Sequence, residues 1–131
     1  MAEEDIPFEC DGKHNLSELV SEVIENQFNG CYGEVPPVSW TNRFLESYFG
    51  KYTYPINGSE GKDFIKISLV LNSSGVPRVV VKYVIYHELL HKNNHTHDSA
   101  FREKEHLYPN WTEHERFLEN KFPKFNIKYA L

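Results

Sequence analysis

The chain has 131 residues, a formal net charge of −5 and 15% aromatic residues. That length suits one domain that buries a core without disulfide staples, and the aromatic share argues against a disordered segment. The negative charge argues against a broad nucleic-acid-binding face; a local basic strip at 121–128 reads as a solvated tail.

The first residues, Met1 to Asp5, are acidic and lack the apolar core of a signal peptide, so the cytoplasm is the expected compartment. No apolar run reaches membrane-spanning length. Cys10 and Cys31 form no CxxC pair and are expected to be free thiols. Residues 1–14 read as a flexible N-terminal segment, and 15–131 as a single domain. From 15 to 29, Leu16, Leu19, Val20, Val23, Ile24 and Phe28 recur at helical spacing, with Asn15 as N-cap and Asn29-Gly30 as the stop.

A Pro/Gly-rich connection over 30–37 leads into short aromatic segments at 38–40 and 44–54, read as strands, and a loop tip at 57–61 marks a hairpin. Residues 64–71 alternate, with Ile65, Ile67, Leu69 and Leu71 on one face, which predicts a half-buried strand. The run 79–86 is β-branched and would suit a strand on propensity alone. Its continuation to Asn93 is too long for one, and Pro77 is well placed in a first helical turn, so 77–93 is expected to be a buried central helix. A second helix is expected at 98–107, capped by Asp98 and ended before Pro109. A third is expected at 112–120, capped by Thr112 with Phe117 and Leu118 inward.

The central helix carries the chemistry. In His87-Glu88-Leu89-Leu90-His91 the two histidines stand four apart, on one face and one turn from each other, so both can reach a single ion. A strand would set them roughly 13 Å apart. Glu88 is rotated off that face and can act on a water without ligating the metal, the arrangement of HExxH zinc peptidases. A catalytic zinc takes three protein ligands, and the candidates for the third are His95, His97, Glu103 and Glu105. Asn93 or Asn94 can end the helix in the left-handed conformation, and His97, six residues past His91, has the spacing of a third imidazole on a returning chain. The metzincin pattern shares that interval, but its Met-turn is impossible because the sole methionine is Met1.

The stretch VIYHELLHKNNHTHDSAF at 84–101 resembles the active-site region of the SprT-like zinc metallopeptidase superfamily, and is most like its YgjP-like and WLM branches. Those branches read HExxH, five residues, His, three residues, Phe. LYPNW at 107–111 is similar to the Leu-x-Pro-Asp-Trp that follows in YgjP-like proteins, and VSW at 38–40 and IKISL at 65–69 match two of their strands. The likeness spans about 38–120. It implies an α+β fold: one zincin-like domain with an N-terminal helix, a small antiparallel sheet of about three strands, the HExxH helix, a third-ligand helix and a short C-terminal helix. It further implies one Zn²⁺ held by His87, His91 and His97, with Glu88 as general base in peptide-bond hydrolysis. The sequence departs from the family at 46–50, where an Arg-Trp-Gly-Ser element is replaced, and at Arg102, where an aromatic is usual.

The function expected is a zinc metalloendopeptidase acting on proteins or peptides, with strand 64–71 as the edge on which substrate adds. Relatives such as Spartan and the WLM proteases cut proteins crosslinked to DNA, so the resemblance points toward protein quality control or crosslink proteolysis, although the acidic chain shows no DNA-binding element of its own. Two other classes compete: a non-catalytic zinc-binding module and a zinc hydrolase of small amides. Tyr83, Tyr86 and Tyr108 are candidate oxyanion donors, His95 a candidate substrate contact, and His14, His106 and His114 are expected at the surface.

Overall fold

The computed structural model describes residues 12–42, 48–54 and 62–123. The apolar stripe of the first amphipathic segment forms α1, Leu16–Gln27, burying Leu16, Leu19, Val20 and Val23. The Asn15 side chain accepts from the Glu18 amide at 3.1 Å, supplying one bond that the first turn lacks. At the other end Asn29 and Gly30 both take positive φ, and the Gly30 amide returns to the Ile24 carbonyl at 2.9 Å.

Three short strands follow: β1, Val38–Trp40; β2, Gly50–Thr53; and β3, Phe64–Ile67. They form one sheet in the order β1-β3-β2. β2 and β3 are antiparallel, with Gly50 opposite Ile67 and Tyr52 opposite Ile65. The expected hairpin is therefore present, and its tip at 57–61 lies outside the described residues. β1 pairs with β3 in parallel, so the sheet is mixed and not wholly antiparallel as expected. Alternation along a strand reports which face is buried and says nothing of which neighbour it meets or in which direction.

The expected strand at 64–71 is cut short. After Ile67 the chain turns in a 3-10 helix, Leu69–Leu71, in which the Leu71 amide bonds to the Ser68 carbonyl and the Asn72 amide to that of Leu69, both at 3.0 Å. Val70 and Leu71 are both buried, so the one-sided alternation expected over 64–71 does not hold to its end.

The β-branched run then forms α2, Arg78–Leu90, entered from Pro77. Five β-branched residues in a helix cost about 0.5 kcal/mol each relative to Ala, whereas burying each such side chain returns about 1.5–3 kcal/mol. Val80, Val81, Val84 and Ile85 are buried to 2% exposure or less, so burial decides. α2 touches α1, β2, β3 and the two remaining helices: α3, Ser99–Glu105, and α4, Trp111–Lys121. Asp98 caps α3 by accepting from the Phe101 amide at 2.9 Å. α4 starts one residue ahead of Thr112, behind left-handed Asn110, and buries Leu118 while Phe117 is half-buried. The fold is α+β, as expected, with four α-helices and one three-stranded sheet among the described residues. No described helix is long and apolar enough to cross a membrane.

Two histidines expected at the surface are buried. His14 anchors the start of α1 to the turn before α2: its amide bonds to Asn72 Oδ1 at 2.9 Å and its Nε2 lies 2.7 Å from the Val76 carbonyl oxygen. His114 directs Nε2 to the Pro109 carbonyl oxygen at 3.0 Å. His106 is exposed as expected, with its ring stacked on Trp111. Cys31 is an exposed free thiol, and Cys10 lies outside the described residues.

Candidate metal centre

The last turns of α2 carry His87 and His91 toward α3, and the chain beyond them doubles back to bring a third ring alongside. His91 is the C-cap, residues 91–93 turn, and His97 arrives just before Asp98 caps α3. Tyrosine hydroxyls from elsewhere add to carbonyls at the helix end that otherwise take long turn bonds, of 3.4 Å from the Lys92 and Asn94 amides: Tyr32 donates to that of Leu89 at 2.5 Å and Tyr54 to that of His91 at 2.7 Å. Neither tyrosine was singled out from the sequence, since both lie more than 35 positions away in the chain and only the fold brings them to this helix end.

The three rings converge. His87 Nε2 lies 3.2 Å and His91 Nε2 3.1 Å from His97 Nε2. The ligand atoms of all three lie within 4.8 Å of one another, so the group could hold a metal ion. Nitrogens tetrahedrally bound at 2.0–2.1 Å would stand about 3.3 Å apart, close to the spacing found. Phe101, fully buried, packs against all three rings at centroid distances of 4.6–5.0 Å.

The far nitrogens of the helix pair are spoken for. His87 Nδ1 donates to Glu105 Oε2, and His91 Nδ1 donates to the Asn94 carbonyl oxygen at 3.0 Å. Each bond fixes the tautomer whose Nε2 lone pair points at the cluster. Burial lowers the pKa of all three imidazoles, that of His91 to about 4, so they are neutral and free to ligate near pH 7. The residues present suit zinc, a borderline-soft ion at home with three imidazoles and an open position.

Of the other third-ligand candidates, His95 is exposed and stacks on the Tyr54 ring at 3.8 Å between centroids. Glu103 is exposed, and Glu105 is fully buried but turned toward His87 Nδ1. Glu88, expected to act on a water, is 1% exposed, and among the described residues its Oε2 has no hydrogen-bond partner. Burial, with the charge of Glu105 adding to it, pushes its pKa up to about 8. An added Cβ at Gly50 would stand 2.8 Å from Glu88 Oε2 and 3.0 Å from Val84 Cγ1, so β2 lies directly against this carboxylate. The hydroxyls of Tyr83, Tyr86 and Tyr108 donate to Glu115, the Lys104 carbonyl and the Val79 carbonyl, which engages all three candidate oxyanion donors elsewhere.

Residues 58–121, which hold the three histidines, Glu88, Phe101 and Glu105, match the family model described as YgjP-like, metallopeptidase domain. No curated protein and no solved structure matches the chain. Over 58–121, just under half of its length, the chain is thus similar to the YgjP-like metallopeptidase domain, consistent with the SprT-like superfamily.

Proposed function

We propose that the chain is a zinc-dependent endopeptidase, with His87, His91 and His97 as the metal ligands and Glu88 as the general base. The observation that carries this is the carboxylate oxygen of Glu88, buried without a partner on the helical turn that presents two of the three converging imidazoles. A buried polar atom left unpaired costs about 1–3 kcal/mol, and a domain retains such a cost where the group has work to do. Bound there, zinc supplies Lewis acidity toward a carbonyl oxygen and eases loss of a proton from water.

The chain's own residues do the rest. Glu88 Oε2 accepts the proton of the attacking water and returns it to the departing amide nitrogen. The substrate edge, expected at 64–71, cannot be β3, because β3 is the central strand. β2 takes that role. The Ser68 amide bonds to the Phe49 carbonyl, so the register turns the backbone groups of Gly50 and Tyr52 outward, along the edge that passes Glu88. An extended peptide adding there would be held mainly through its backbone.

The resemblance extends to proteins crosslinked to DNA or awaiting quality control as substrate classes. The net charge of −5 provides no broad basic face for the first of these.

The near-complete burial of Glu88 favours one rival, a module in which zinc only ties α2 to α3. Substituting Glu88→Gln separates the two. Under the peptidase reading the variant keeps one zinc per chain while cleavage of an unfolded protein falls about 100- to 10,000-fold. A zinc-loaded wild-type chain that cleaves no unfolded protein, or a Gln variant that cleaves as fast, would overturn it.

A further inference from the structure

The geometry points to Glu105 as the positioning residue that holds His87 on the metal, through the hydrogen bond it accepts from Nδ1. This rests on the metal reading above and adds a role for a carboxylate that the sequence offered only as a possible ligand.

Both side chains are fully buried, and Glu105 Oε2 takes the Nδ1 proton of His87. The other oxygen, Oε1, accepts from Arg102 Nη1 at 2.6 Å, three residues back on the same face of α3. Both carboxylate oxygens are thereby engaged, the ring is held from behind, and Nε2 is left facing His97 at 3.2 Å. Arg102 is 38% exposed in its side chain and closes the pair from outside, so a buried charge is offset without a second buried cation. The two helix histidines are treated differently. His91 leans on a neutral carbonyl, whereas His87, the fully enclosed one, leans on an anion, which raises its strength as a donor to a cation.

Joining α3 to α2 does not by itself require this carboxylate. Phe101 packs beneath the rings, and the Tyr86 hydroxyl bonds to the Lys104 carbonyl at 2.6 Å.

The test is zinc affinity of the full chain, measured by competition with a chelator near neutral pH, alongside melting of the metal-free protein. Glu105→Gln keeps an acceptor of the same size and loses the charge; Glu105→Leu loses both. Zinc binding weakens about tenfold in the first and about a hundredfold in the second. The His87 Nδ1 proton, followed by NMR in the metal-free Gln variant, moves upfield as its acceptor loses charge. Melting that falls in the Gln variant while zinc affinity stays at the wild-type value would overturn the assignment and leave Glu105 as a tether only. Should the Leu variant fail to fold, the Gln variant decides by itself. A wild-type chain that takes up no zinc would bring down the metal reading and this role together, whereas unchanged affinity in a zinc-binding Gln variant brings down this role alone.

Discussion

Glu88 makes the metal-free protein sensitive to alkali. Its pKa is raised from 4.5 to about 8, so between those values the unfolded chain has shed a proton that the folded chain retains. Stability from this group is whole below pH 4.5 and drains away as pH climbs through 8. The imidazoles act on the other side: that of His91 falls from 6.5 to about 4, so stability is whole above 6.5 and is lost as pH drops toward 4. Glu88→Gln removes the alkaline limb only. In EDTA, the variant's stability relative to wild type should improve on the order of 3 kcal/mol from pH 5 to pH 8, read from urea unfolding at each pH. A difference that stays flat with pH would contradict the buried, unpaired carboxylate. The metal set is tested at the same scale: His97→Ala should lose stoichiometric zinc, and His95→Ala should retain it, because His95 spends its ring on Tyr54. The spacing of 87, 91 and 97 was readable from the sequence because helix geometry and one reversal of the chain suffice to bring the rings together. The closure over Glu88 was not, because it depends on β2, nearly forty positions away.

The meeting of β2 with α2 is where one element constrains another most tightly. Gly50 lets the strand backbone lie against Glu88 and Val84, where a Cβ would come within 2.8 Å of the carboxylate and 3.0 Å of a methyl group. The carboxylate end can swing away, but Glu88 Cγ, at 2.9 Å, and Val84 sit on a packed helix. Gly50→Ala should therefore cost about 1–3 kcal/mol of stability, the usual range for overpacking. It should also lower peptidase turnover more than it lowers zinc content, since it displaces the base and the substrate edge but none of the histidines. Equal losses of zinc and turnover would place Gly50 in the general framework instead. The helices were legible as elements because their apolar positions recur with the period of a helix and their caps, Asn15 and Asp98, are of the expected kinds. The sheet was legible only as strands. Its order, and the parallel pairing of β1, follow from contacts between distant segments, and the 3-10 turn after β3 mimics alternation because Leu69 and Leu71 happen to continue it.

At the scale of the molecule, the candidate ligands lie on two pieces of chain, joined also by Phe101 beneath the rings and by the bonds of Tyr86 to the Lys104 carbonyl and of His87 to Glu105. His87 and His91 belong to α2, the element that every layer touches, whereas His97 belongs to the exposed segment leading into α3. α3 has only seven residues, too short to hold its own helical form in water, and it buries Phe101 and Glu105 alone. An ion bound by all three imidazoles would close that segment onto the core, so its binding energy becomes folding energy for this part of the fold. With free zinc at a hundred times its dissociation constant the gain is about 2.7 kcal/mol, and for a domain of this size each kcal/mol moves the midpoint by about 3–5 °C. Chelation should then lower the melting temperature by roughly 10 °C. The loss should also be local. Amide exchange should quicken over 91–105, while Leu19, Val23, Ile65 and Ile67, buried in the layer formed by α1 and the sheet, keep their protection. Chelation that leaves both the melting temperature and exchange over 91–105 unchanged would mean that the three rings hold their places without an ion, and the link between metal and fold would fail.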